Sequence, residues 1–150
     1  MEKKDLKPAG VFEYFEEICQ VPRPSKKEEK MIAYLKAFGA KHNLETKVDE
    51  AGNVLIKKPA TPGKENLQTV VLQSHIDMVC EKNNDVQHDF LTDPIETEID
   101  GEWLKAKGTT LGADNGIGVA TELAILADDS IEHGPLECLF TVDEETGLTG

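Results

Sequence analysis

Residues 136–142 read LECLFTV, and the acidic triplet Asp143-Glu144-Glu145 follows them directly. An apolar run of this length predicts a buried β-strand. Loops beyond strand ends are where layered α/β proteins usually assemble their functional sites. Glu144 and Glu145 are therefore candidate site residues, with a solvated acidic turn as the alternative interpretation.

Two other segments place similar side chains after a strand or before a helix. His75 and Asp77 follow residues 70–72 (VVL), which predict a second buried strand. Residues two apart in extended chain face the same side, so Asp77 can reach His75 and fix its tautomer. The alternative is a surface histidine beside an acid. Asp114 precedes a helix predicted from Ile117, and its alternative role is to cap that helix.

Apolar residues at helical spacing predict two helices in the first third of the chain. The first helix is indicated by Val11, Phe12, Phe15, Ile18 and Cys19. The two prolines that follow end it, because proline lacks the amide hydrogen that a helix needs. We predict that Ser25 caps the second helix and that Glu28 completes a capping box. Gly39 or Asn43 is expected to close this helix.

Short apolar runs around turn residues predict further strands. One hairpin is predicted over residues 46–48 and 54–56, and another over residues 95–99 and 103–106 with Asp100-Gly101 as its turn. A third helix is predicted over residues 117–127. Helices interleaved with strands indicate an α/β layered domain.

The composition narrows the classes of function. With 39% hydrophobic and 30% charged residues, the 150-residue chain reads as one globular domain. A net charge of −13 argues against nucleic acid and against an anionic membrane surface as partners. We see neither a signal peptide nor a membrane span in the sequence. Three widely spaced cysteines fit a reducing compartment, so a cytoplasmic location is predicted.

Taken together, three motifs resemble the M20 family of metallopeptidases, and within it the aminoacyl-histidine dipeptidase group. They are residues 74–79 (SHIDMV), 111–116 (LGADNG) and 141–147 (TVDEETG), and residues 21–25 (VPRPS) also match. The resemblance implies an α/β layered zinc-peptidase-like catalytic domain with a mixed sheet flanked by helices. Residues 1–150 would be its N-terminal part, and the rest of that domain and an inserted second domain would lie outside the chain.

The resemblance also implies roles for the candidate residues. His75 would bind one metal ion, Asp114 would bridge two ions, and Glu145 would bind the second. Glu144 would be the general base, and Asp77 would orient His75. The expected cofactors are two divalent metal ions, zinc in the first place, with cobalt or manganese as alternatives. The expected substrate is a dipeptide, of the Xaa-His type or of broad specificity, and a homodimer of the longer protein is compatible with this.

Members of the resembled family have two further ligands, an acid and a histidine, at positions beyond residue 150. Each ion would keep two ligands here, His75 with Asp114 or Asp114 with Glu145, whereas catalytic zinc sites normally have three. We therefore expect this chain to bind zinc weakly and to hydrolyse nothing by itself. A cis peptide bond between Asp114 and Asn115 is also implied. Two other functions stay open: another M20 amidohydrolase such as a deacylase, and a non-catalytic binding module of the same fold.

Overall fold

The computed structural model describes residues 2–150. Within this range a 3₁₀ turn over Lys3–Asp5 precedes three α-helices and six β-strands. In chain order they are α1 (Ala9–Cys19), α2 (Glu29–Lys41), β1 (Glu45–Val48), β2 (Val54–Lys58), β3 (Val70–His75), β4 (Thr97–Asp100), β5 (Trp103–Ala106), α3 (Ala113–Ala127) and β6 (Leu136–Thr141). None of the helices in this range combines the length and the apolar character that a bilayer crossing requires.

The main sheet is mixed, and helices flank it. Its strands run in the order β1-β2-β6-β3, with β1–β2 and β2–β6 antiparallel and β3–β6 parallel. The helix α2 packs on β1 and β2, while α3 packs on β3 and is covered by α1. The hairpin of β4 and β5 is a separate antiparallel pair. The predicted fold class, an α/β domain with a mixed sheet flanked by helices, is confirmed.

The two strands that were predicted to be buried differ in their surroundings. The strand β6 lies between two neighbours, and its Leu136, Cys138 and Phe140 are buried as predicted. The prediction of a buried β3 is wrong at its start, since Val70 and Val71 are 50% and 56% exposed. Within residues 2–150 β3 pairs with β6 alone and forms the edge of the sheet. Only its last residues turn into the protein.

The predicted capping box of α2 is wrong. The helix begins at Glu29 with Glu28 at the N-cap position, and no side-chain cap is formed there. Ser25 is used elsewhere, because its hydroxyl donates to Asp77 at 2.6 Å. The Oε1 atom of Glu28 accepts from the backbone amide of Asp143 at 2.9 Å. These two hydrogen bonds therefore connect the segment before α2 to the loops after β3 and β6.

Two turn predictions are close to the structure. Asn43 has a left-handed φ of 54° just after α2, so it is the residue that closes this helix, as one of the two predicted candidates. In the β4–β5 hairpin Asp100 pairs with Trp103, so the turn residues are Gly101 and Glu102, one position later than predicted. Gly101 has a φ of 60°, which glycine adopts without strain.

Glu122 is a buried acid in α3. Its exposed fraction is 4%, and its Oε2 atom has no hydrogen-bond partner among residues 2–150. Burial raises the pKa of Glu122 to about 7. The side chains of Ser74 and Cys138 lower this pKa, but by less than burial raises it. The carboxyl is therefore more easily ionised in the unfolded chain than in the folded one.

Glu122→Gln is expected to stabilise the folded chain at pH 8. As pH rises from 4.5 to about 7, the unfolded state ionises first and the wild-type chain loses stability. Above pH 7 the wild-type chain has lost about 3 kcal/mol of its free energy of unfolding in this way. At pH 8 the free energy of unfolding of Glu122→Gln is therefore expected to exceed that of the wild-type chain by roughly 1–3 kcal/mol. Urea unfolding of both proteins at pH 4.5 and pH 8 measures it. The same pH dependence in the variant would contradict the assignment.

Candidate metal centre

Asp77 joins the segments that form the candidate site. Its side chain is fully buried. Its Oδ1 atom accepts from the backbone amide of Glu144 at 3.0 Å, and its Oδ2 atom accepts from the amide of Glu145 at 3.2 Å. Oδ2 also accepts from the Ser25 hydroxyl at 2.6 Å, and Nδ1 of His75 lies 3.2 Å from Oδ1. One carboxylate thus holds the loops after β3 and β6 and the segment before α2 together.

The hydrogen bonds on Asp77 keep it ionised. Burial works to raise the pKa of Asp77, but the hydrogen bonds from Ser25 and from the amides of Glu144 and Glu145 outweigh burial. The pKa is therefore lower than the ordinary value. An anion at this position attracts the proton of the adjacent His75 ring.

His75 lies at the end of β3 and is 6% exposed. Its Nδ1 atom is 3.1 Å from the backbone carbonyl oxygen of Asp77 and 3.2 Å from the Asp77 carboxylate. The carbonyl oxygen and the carboxylate oxygen can only accept hydrogen bonds, so Nδ1 carries the ring proton and donates it. In the neutral ring the Nε2 atom then presents a lone pair. Metal-binding histidines are oriented in this way.

The Nε2 atom of His75 faces three carboxylates. It lies 3.0 Å from Oδ1 of Asp114, 3.7 Å from Oε2 of Glu144 and 4.0 Å from Oε1 of Glu145. One ligand atom each from His75, Asp114 and Glu145 lie within 4.8 Å of one another. At these distances the lone pair of Nε2 and the carboxylate oxygens repel one another. A cation placed among them, either a proton on Nε2 or a metal ion, removes this repulsion. One imidazole with carboxylates is a donor set that suits zinc and similar divalent ions.

The three carboxylates differ in their access to solvent. The side chain of Asp114 is 85% exposed, that of Glu144 is 40% exposed and that of Glu145 is 22% exposed. Burial raises the pKa of Glu145, and the negative charges of Glu144, Asp114 and Asp77 raise it further against the opposing effect of His75. The site therefore carries more negative charge than its own groups neutralise.

Asp114 reaches the site from the first turn of α3, where the backbone is not helical. Gly112 at the N-cap has a φ of 74°, and both Asp114 and Asn115 have non-helical dihedral angles. The peptide bond between Asp114 and Asn115 is cis, as the family resemblance implied. No side-chain cap forms at this helix start, so the alternative role of Asp114 as a capping residue is not supported.

The structure brings together all five residues singled out in the sequence, and it adds two that sequence reasoning missed. Ser25 was assigned to a helix cap, but it holds Asp77. Arg23 had no assigned role, yet its guanidinium donates to the carbonyl groups of Ile76 at 3.0 Å and of Gly112 at 2.7 Å. The signals for Arg23 were that it is the one arginine of the chain, that it stands between two prolines and that residues 21–25 match the resembled family.

Comparison with known proteins gives a family match and several relatives. Residues 71–150 match Peptidase family M20/M25/M40. The chain is 52% identical over 149 residues to the cytosol non-specific dipeptidase of Escherichia coli, which covers 99% of this chain and 31% of that protein. The aminoacylhistidine dipeptidase of Vibrio alginolyticus superposes with a TM-score of 0.96 at 55% identity, over 100% of this chain and 31% of that one.

A more distant structure has the same fold. Aminopeptidase PepT from Bacillus cereus superposes with a TM-score of 0.77 at 25% identity, over 94% of this chain and 38% of that one. This chain thus spans about a third of the length of each of these three relatives.

Proposed function

The chain belongs to peptidase family M20/M25/M40, and from this premise we propose that it supplies part of a di-metal centre that hydrolyses dipeptides. His75, Asp114 and Glu145 are the proposed metal ligands. The observation that carries the proposal is the convergence of the Nε2 atom of His75 with oxygen atoms of Asp114, Glu144 and Glu145. Such a set of lone pairs needs a cation among them.

Each side chain has a distinct part in the proposed reaction. A divalent ion would act as a Lewis acid on the scissile carbonyl and would lower the pKa of the attacking water. Glu144, which is partly exposed and 3.7 Å from Nε2 of His75, takes a proton from that water and passes it to the leaving amine. Asp77 keeps the neutral His75 ring in the tautomer whose Nε2 atom is free, and it holds the backbone of Glu144.

A dipeptide is the proposed substrate because two relatives above 50% identity are named as dipeptidases. Their names differ, one being non-specific and the other an aminoacylhistidine dipeptidase, so both broad and Xaa-His specificity fit. Zinc is the proposed metal, with cobalt or manganese as alternatives. A cytoplasmic location is proposed from the name of the Escherichia coli relative and from the free thiols of Cys19, Cys80 and Cys138.

Two predictions about domain organisation remain proposals. Residues 1–150 are proposed to be the N-terminal part of the catalytic domain, as the family resemblance implies, and the coverage of about a third of each relative is consistent with a part of a longer protein. The resemblance places two further ligands outside this chain, so the chain alone is expected to bind zinc weakly and to leave dipeptides intact.

A chimaera tests the proposed function. This chain replaces the matching 149 residues of the Escherichia coli dipeptidase, and the unaltered enzyme is the control. We expect hydrolysis of dipeptides that a chelator abolishes and that added Zn²⁺, Co²⁺ or Mn²⁺ restores. Hydrolysis that survives removal of the metal would contradict the proposal. Faster cleavage of acylated amino acids than of dipeptides would favour a deacylase, and a folded chimaera without turnover would favour a binding module.

A further inference from the structure

Arg23 is a buried charge with an unusual set of partners. It is the only arginine of the chain and is 2% exposed. Buried arginines are normally paired with acids. Within residues 2–150, however, the side-chain hydrogen bonds of the guanidinium go to two backbone carbonyl groups, and its Nε atom has no hydrogen-bond partner. An apolar side chain in this place would leave both carbonyl groups without these hydrogen bonds.

The two carbonyl groups belong to the two loops that carry proposed metal ligands. Ile76 directly follows His75, and its carbonyl oxygen accepts from Nη1 at 3.0 Å. Gly112 stands two residues before Asp114, and its carbonyl oxygen accepts from Nη2 at 2.7 Å. We propose that Arg23 is a positioning residue that sets the separation of His75 and Asp114, and thereby the affinity of the metal centre; this rests on the proposed function.

The neighbouring backbone reinforces this connection. The backbone amide of Met78 donates to the carbonyl of Arg23 at 3.1 Å, so the loop after β3 is also bound to the main chain of this segment. The other loop is fitted to the guanidinium by two glycines. A Cβ atom on Gly112 would lie 2.7 Å from Nη2, and one on Gly116 would lie 2.6 Å from it. The start of α3 can therefore approach the guanidinium only because both positions lack a side chain.

Arginine suits this role better than lysine does. The planar guanidinium donates in two fixed directions, so one side chain can bridge carbonyl groups on two separate loops. A lysine ammonium is a compact point charge on a flexible stem and does not fix such a separation. Arg23→Lys therefore keeps the positive charge but loses the two fixed donor directions, so it separates the effect of geometry from that of charge.

Titration of the chain with Co²⁺ alone tests the proposal, because the visible absorption of Co²⁺ reports the geometry of its ligands. We expect the wild-type chain to show an absorption band that His75→Ala removes. In Arg23→Lys we expect at least tenfold weaker Co²⁺ binding and an altered band, within the 10- to 100-fold range typical of residues that orient metal ligands. Arg23→Met, which donates to neither carbonyl, is titrated in parallel in case the lysine variant does not fold.

Lys58 provides a matched control at the opposite end of the sheet. It is 8% exposed and donates to the backbone carbonyl groups of Ile125 and Asp128 at 3.3 and 2.9 Å. Lys58→Met is expected to lower the thermal midpoint and to leave Co²⁺ affinity unchanged. If a folded Arg23 variant kept the Co²⁺ affinity and the absorption band of the wild-type chain, the role of Arg23 would be overturned and the proposed function would stand. Absence of His75-dependent Co²⁺ binding in the wild-type chain would overturn the proposed function and the inference with it.

Discussion

Replacing Glu144 by glutamine in the chimaera is expected to lower kcat for dipeptide hydrolysis by about 10²- to 10⁴-fold, the usual contribution of a general base. Glutamine has nearly the same shape but does not take up a proton from water. The backbone amide of Glu144, which donates to Asp77 at 3.0 Å, is unchanged by the substitution. Steady-state kinetics on a dipeptide, together with the bound metal per chain, measure the effect.

The neighbouring Glu145 is the matched control for this prediction. Its side chain is less exposed, 22% against 40% for Glu144, and it is a proposed metal ligand. Glu145→Gln is expected to lower the metal content, whereas Glu144→Gln is expected to retain it. A kcat within tenfold of the unsubstituted chimaera for Glu144→Gln would contradict the role of Glu144 as the base. Loss of metal in that variant would instead make Glu144 a ligand.

Asp77→Asn is expected to destabilise the chain by about 3 kcal/mol and to weaken metal binding at least tenfold. The Asp77 carboxylate accepts from Ser25, from two backbone amides and from His75. In asparagine one oxygen becomes an NH₂ group, which would face donors in a fully buried place. Each buried donor without an acceptor is destabilising by roughly 1–3 kcal/mol. Urea unfolding and Co²⁺ titration of the chain measure the two effects.

Asp49 is a suitable control for the removal of this charge. Its Oδ1 atom accepts from the backbone amides of Ala51, Gly52 and Asn53, but the turn is exposed to solvent. Water can therefore replace the lost hydrogen bonds in Asp49→Asn, and less than about 1 kcal/mol of destabilisation is expected. Metal affinity should not change. If Asp77→Asn proved as stable as Asp49→Asn, the central place of Asp77 in the site would be refuted.

Local sequence patterns predicted that Glu144 and His75 follow or end strands, whereas the pairing that brings the two strand ends together is seen only in the structure. Glu144 follows β6, His75 ends β3, and these two strands are parallel neighbours, so their carboxyl ends meet at one edge of the sheet. Asp114 required the family resemblance, since the residues alone also allowed a helix cap. The bond between Asp114 and Asn115 is cis, as the resemblance implied, and no local sequence pattern indicated this.

The predictions that were wrong depended on contacts that are distant in sequence. Ser25 fits a capping pattern, but its hydroxyl donates to the fully buried carboxylate of Asp77, which is 52 residues away in sequence. Arg23, for which no role was predicted, donates to carbonyl groups 53 and 89 residues away. Val70 and Val71 were predicted to be buried because they are hydrophobic. Hydrophobicity does not reveal the order of strands in a sheet, and both residues are exposed on β3, which is an edge strand.

The most direct measurement is a crystal structure of the chain soaked in excess Zn²⁺, with anomalous diffraction collected at the zinc absorption edge. We expect one peak within about 2.0–2.2 Å of the Nε2 atom of His75 and of a carboxylate oxygen of Asp114, and a second peak at the same distance from oxygens of Asp114 and Glu145. The Nδ1 atom of His75 should keep its hydrogen bond to Asp77. Zinc peaks only elsewhere on the surface, with Nε2 of His75 still bonded to Asp114, would contradict the existence of a metal centre in this chain.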